Sequence, residues 1–160
     1  MLPNDFDRLV KQTFGPVLEP RGFTSSKSKR STFWRQSEDI YHFIIADRRL
    51  RGESFDIMVF ASSPKIDPDF FSRFPDGVGA PSDTYCRLNA KSGVGPNASR
   101  FPCSTASAFL AGANAAVLTA LSNVAVPYLD AISSMEELVA TIRHPTLRQR
   151  GEALLGGGNT

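Results

Sequence analysis

An α+β fold, with helices packed on an antiparallel sheet of four to five strands, is what this sequence predicts. Three observations predict it. Apolar residues recur at helical spacing near the start, strand-like runs separated by short turns fill residues 23–61, and helical patterning returns in the last third. Strands grouped between helices indicate α+β and not an alternating parallel sheet.

Taken in order, Asn4 or Asp5 is the expected cap of the first helix, with Phe6, Leu9, Val10, Phe14 and Val17 on one apolar face. Asp5 and Asp7 suit the positive end of the helix dipole. Gly15-Pro16 is expected to kink or end that segment, because proline has no N–H to donate, and Pro20-Arg21-Gly22 to turn the chain. Phe23–Ser26 reads as a short strand and Ser31–Gln36 as a longer one. Ile40–Asp47 is the strongest strand signal, being β-branched and aromatic. Arg48–Glu53 is a charged connection containing Gly52. In Ser54–Ala61 the odd positions Phe55, Ile57, Val59 and Ala61 make an unbroken apolar face.

Residues 62–82 carry Pro64, Pro68, Pro75, Gly77, Gly79 and Pro81 and read as a long loop with one helical turn near Asp69–Arg73. Thr84–Lys91 is a last strand and Ser92–Cys103 a further loop. Thr105–Val126 is helical with Phe109, Leu110, Val117, Leu118 and Leu121 as core residues, stopped or bent by Pro127. Ser134-Met135-Glu136-Glu137 matches a capping box, so a helix runs to about Arg143. Residues 1–155 form one domain, and the run Gly156-Gly157-Gly158-Asn159-Thr160 is a flexible tail.

Composition narrows the class. A chain of 160 residues with 41% hydrophobic and 21% charged content has enough apolar matter for one core, and its twelve Phe argue against overall disorder. A net charge of +2 is low for a dedicated nucleic-acid binder. The start MLPNDFDRLV is acidic where a secretory signal is basic, and residues 106–126 are too polar for a membrane span. A cytoplasmic address is expected, with Cys86 and Cys103 as free thiols.

The segments LEPRGF, TFWRQ, IYHFIIADRR and SFDIMVF, with ISSMEELVATI later, resemble domain-of-unknown-function family 4304, over roughly residues 5–143. The resemblance implies an α+β fold and carries no activity or functional residue with it. The Pro- and Gly-rich stretch at 62–82 departs from it.

The hairpin joining Ser31–Gln36 to Ile40–Asp47 offers the sharpest local geometry. A three-residue loop, Ser37–Asp39, sets Phe33 opposite Phe43, Arg35 opposite Tyr41 and Trp34 opposite His42. On that register Phe33, Tyr41, Phe43 and Ile45, with Phe55, Ile57 and Val59, face the helices. Trp34, His42, Ile44, Met58 and Phe60 line the other face, which is covered by residues 62–103 or left as a binding surface anchored by Trp34. A slip of one residue exchanges the faces of a strand.

No cofactor and no metal is expected. His42 and His144 are the only histidines, and Cys86 and Cys103 lack zinc spacing. Gly93-Val94-Gly95-Pro96 lacks the context of a phosphate loop, and Asp67, Asp69, Asp76 and Asp83 lack the closing Glu of a calcium loop. A Cys86–His42 nucleophile pair has no support from spacing. The candidate binding surface is Trp34, Arg35, His42, Arg48 and Arg49. It fits best a non-enzymatic domain, adaptor or immunity-type by analogy, that binds a protein partner. The alternatives are a nucleic-acid binder using the Arg-rich hairpins, with Trp34 and Tyr41 as stacking rings, and an enzyme or small-ligand binder with a dispersed site.

Overall fold

The computed structural model describes residues 1–76, 78, 85–88 (as backbone), 101–113 and 117–157. Its elements are α1 (Pro3–Leu18), β1 (Thr24–Ser25), β2 (Thr32–Ser37), β3 (Ile40–Arg49), β4 (Ser54–Ser62), α2 (Phe70–Arg73), β5 (Tyr85–Leu88) and β6 (Phe101–Pro102). They continue with α3 (Ala106–Gly112), α4 (Leu118–Ala120), a π-helical turn at Leu121–Ala125, α5 (Val126–Asp130), α6 (Met135–Thr141) and α7 (Pro145–Gly157). The fold is α+β, as the pattern predicts. Five strands lie in the order β1-β2-β3-β4-β5, all antiparallel, and β6 pairs with the end of β4.

The first helix starts on Pro3, with Leu2 and no side chain capping it, so neither Asn4 nor Asp5 is the cap. Proline at the first helical position costs nothing, because that N–H has no partner inside the helix anyway. The helix also continues through Pro16 to Leu18, and buries Phe6, Val10, Phe14 and Leu18 against the sheet. A short 3₁₀ turn follows, and Gly22, at φ 88°, lets the chain reverse into β1.

The hairpin loop is Glu38-Asp39 alone, because Ser37 pairs with Ile40. Glu38 takes the left-handed conformation at φ 53° that such tight loops demand. The register therefore moves by one from the expected three-residue loop: Phe33 faces Ile44, Trp34 faces Phe43 and Arg35 faces His42. Side chains of β3 exchange faces in consequence. His42, Ile44 and Ala46 join Phe33, Phe55, Ile57, Val59 and Ala61 on the helix side. Tyr41, Phe43 and Ile45 join Trp34, Met58 and Phe60 on the other.

Two apolar layers result. On the helix side Phe6, Phe55, Phe101 and Phe109 form a ring cluster with centroids 5.3–5.9 Å apart. On the far side Phe70, Phe74 and Val78, from the loop after β4, cover Tyr41, Phe43 and Phe60. That loop is folded back onto the sheet, and its helical turn is α2, as expected from Asp69–Arg73.

The helix expected to be stopped or bent by Pro127 passes it and ends at Asp130. The π turn sits just before that proline, where widening makes room for its ring and absorbs the missing backbone donor. At α6 the Ser134 hydroxyl accepts from the Glu137 N–H at 3.1 Å, as in a capping box. The Glu137 carboxylate, however, accepts from the hydroxyls of Ser133 and Ser134 and not from a backbone N–H. The helix α7 is unforeseen by the pattern and runs through Gly156 and Gly157, residues expected to start a tail. It crosses α6 closely at Gly151 and Val139.

Candidate functional site

The one-residue shift in register decides what Arg35 and His42 do. Directly opposite each other on β2 and β3, both lean toward the end of α5. The Arg35 guanidinium donates from Nε to His42 Nδ1 at 2.9 Å, from Nη1 to the Arg21 carbonyl at 2.9 Å and from Nη2 to Asp130 at 2.6 Å. One face of its plane lies 4.5 Å from the Phe23 ring centroid, a cation–π contact. His42 Nε2 is 2.6 Å from the Ile132 carbonyl. Asp130 closes α5, where the helix dipole disfavours a carboxylate, and the Arg35 charge offsets that penalty.

This network fixes the histidine's chemistry. Arginine has only donors, so Nδ1 must be the acceptor. The ring proton then resides on Nε2 and is given to Ile132. Burial holds the His42 pKa below its ordinary value; the Ile132 carbonyl opposes that shift, Arg35 adds to it, and Asp130 opposes it. With both nitrogens engaged and the ring buried, His42 has no lone pair to offer a substrate. It is a structural link and not a general base.

A cleft of about 260 Å³ opens beside this network, lined by Arg35, Gln36, Ser37, His42, Asp130 and Ser133. It is at the small end for ligand pockets, and most of its polar lining is already hydrogen-bonded within the chain.

The other expected site residues lie elsewhere. Trp34 is on the opposite face, edge-on to Phe74 at 4.7 Å and near Tyr41 at 6.4 Å. Arg48 and Arg49 are at the far end of β3. Arg48 donates to the Met1 carbonyl at 2.6 Å and lies over the Phe6 ring. Arg49 pairs with Asp47 at 2.9 Å and with buried Asp56 at 3.5 Å. Trp34, Arg35, His42, Arg48 and Arg49 thus do not make one surface. Only Arg35 and His42 meet.

The backbone sets Cys86 opposite Val59, two strands and two positions from His42. Strand spacings put their Cα atoms roughly 12 Å apart, too far for a nucleophile–base pair. The side chain of Cys86, Asp83 and the 93–96 glycine segment lie outside the described residues. Cys103 is a free, buried thiol near the opposite end of the sheet, donating to the Gly52 carbonyl at 3.3 Å, and burial pushes its pKa up. Among the described residues no three His, Cys, Asp or Glu side chains gather as a metal site. Among them, too, no helix is long and apolar enough to cross a membrane.

Phe71 is what the residue pattern does not single out. It projects from α2 with 66% of its surface exposed, while its ring touches Phe70, Phe74 and Tyr41. Together with half-buried Trp34 and Phe74 it makes an aromatic rim on the far side of the sheet. Neighbouring phenylalanines at 70, 71 and 74 are the only signal, and helical spacing leaves one of them outward.

No family model matches this chain. No curated protein and no solved structure matches it either.

Proposed function

We propose that this domain is a non-enzymatic protein-binding module whose contact surface is the aromatic rim of Trp34, Phe71 and Phe74. The observation that carries the reading is Phe71: a phenylalanine two-thirds exposed, yet seated on an ordered aromatic layer. Large rigid rings presented this way contribute contact area at little conformational cost, as interface anchors do. The engaged His42 supports a non-enzymatic role. The partners held by Arg48 and Arg49 weaken the nucleic-acid reading, because both arginines are already neutralised or bonded within the fold. Membership of domain-of-unknown-function family 4304 belongs to the same proposal. Its supporting segments fall on the turn after α1, on β2, β3 and β4, and on α6. A cytoplasmic site of action is supported by the free thiol of Cys103.

Capture from native lysate, with and without nuclease, tests it, with three baits: the unaltered chain, Phe71→Asp, and Leu110→Asp on α3. A stoichiometric protein held by the first and third and lost by the second supports the rim. Equal capture by all three, or none, rejects it. Binding that disappears only on nuclease treatment moves the function to nucleic acid.

A further inference from the structure

The cleft beside Arg35 is bordered by a hydrogen-bond relay, Arg35 to His42 to Ile132. It ties β2 and β3 to the connection between α5 and α6. We propose that His42 is a proton-operated latch on Arg35: one proton added at Nδ1 breaks the Arg35 bond and draws Asp130 from the guanidinium to the ring, so that acid frees the guanidinium on the cleft wall.

The geometry makes the change obligatory. A protonated imidazole has two N–H groups and no acceptor. Its new Nδ1–H would point at the Arg35 Nε–H, donor against donor and cation against cation, at a present separation of 2.9 Å. The groups facing the ring come from four elements. On β2 stands Arg35, repelling the added proton; on α5 stands Asp130, attracting it; on β4 the partner is Ala61, without charge; the α5–α6 connection supplies the Ile132 carbonyl. Asp130 is also what gives the latch a second state. It is half exposed and held by Arg35 at 2.6 Å, so it is able to turn its carboxylate from arginine to the imidazolium. Arg35 then keeps the Arg21 carbonyl and Phe23 but loses both contacts that hold it against the α5 end. Ile132 stays bound, because the imidazolium Nε2–H is the stronger donor, so the α5–α6 connection is held while Nε and Nη2 of Arg35 turn free toward the cleft.

The neutral form is the folded resting state, because burial and Arg35 hold the His42 pKa below its ordinary value of 6.5. The latch is therefore shut above that pH. Below it the released population grows about tenfold per pH unit until the ring is half protonated, as one proton requires.

Nitrogen-detected NMR of the ring tests this on the intact chain. Expected are the Nε2–H tautomer at neutral pH, a ring midpoint below 6.5, and a signal of Arg35 Nε–H that follows the same titration curve. Signals of Ile44 and Val59, in the sheet, stay in place. His42→Gln, which keeps a donor for Ile132 and cannot titrate, removes the pH dependence at Arg35 Nε–H. An Nδ1–H tautomer overturns the proposal. So does a ring that titrates while Arg35 stays unmoved, or a ring that takes up its proton only when the whole fold is lost. Should His42→Gln not fold, the ring titration of the unaltered chain decides alone.

Discussion

Replacing Gly151 by alanine tests the contact between the last two helices. A Cβ there would stand 2.5 Å from Val139 Cγ2, 3.3 Å from Cγ1 and 3.4 Å from Cβ. Val139 is buried, and valine in a helix holds one side-chain rotamer in about nine cases of ten, so it cannot simply turn aside. Forcing a methyl into such a site costs about 1–3 kcal/mol. The helix returns about 0.5–1 kcal/mol, since alanine loses less backbone freedom than glycine. The net is a loss of about 0–2.5 kcal/mol, a fall in Tm of up to roughly 10 °C for a domain this size. Gly156, in the same helix, has nothing within 4 Å of the point a Cβ would occupy. There the same substitution keeps only the favourable term, and raises Tm by a degree or two or leaves it unchanged. Thermal unfolding of both variants reads the difference in sign. Adding Val139→Ala to Gly151→Ala should restore stability relative to the sum of the single effects, by about 0.5–3 kcal/mol of coupling. If Gly151→Ala stabilises as much as Gly156→Ala, the close crossing of α6 and α7 is refuted.

Four further outcomes are expected. Stability, read from urea midpoints, should fall as pH drops below 6.5: the unfolded chain then binds a proton at His42 that the folded chain refuses, and stability is lost on the side where the unfolded state carries more protons. Arg35→Gln should make that loss smaller, since removing the arginine charge brings the folded ring's pKa closer to that of the unfolded chain and narrows the window between them. Ser134→Ala should cost about 1 kcal/mol by leaving the Glu137 N–H without its cap, measured by the same unfolding curves. In a Cys86→Ser background Cys103 should resist a neutral thiol reagent at about pH 8 while folded and react fully in denaturant, because the thiolate is disfavoured by burial and the sulfur is covered.

Much of the fold is legible in the sequence because strong periodicity reports burial. Phe6, Val10 and Phe14 mark the inner face of α1, and Phe55, Ile57, Val59 and Ala61 mark that of β4. The hairpin register is not legible, because Ser37-Glu38-Asp39 has no Asn-Gly or Asp-Gly to announce a two-residue loop. The left-handed residue is a glutamate. That one residue is why His42 reads from sequence as lining the second face and lies instead under the helices. The strand β6 is two residues long and ends on a proline, too short for any alternation. The helix α7 is not legible because Gly151 leaves a gap in its apolar pattern, and that absent side chain is the condition for packing on Val139. Of the site, Arg35 and His42 stand out in the sequence. Asp130 and the Ile132 carbonyl do not, since they come from some ninety residues further on and no local pattern points back to β2.

The strand order β1-β2-β3-β4 follows the chain without a crossover. Each of those pairings closes only a short loop, so the loop entropy lost before each contact forms is small. A sheet wired this way can zip outward from the β3–β4 hairpin before any distant segment arrives. The β6 pairing with β4 and the docking of α3 onto Phe55 must close about fifty residues at once, and belong to a later, slower event. Substitutions in the β3–β4 hairpin should then slow refolding, while those at Phe101 or Phe109 should chiefly hasten unfolding.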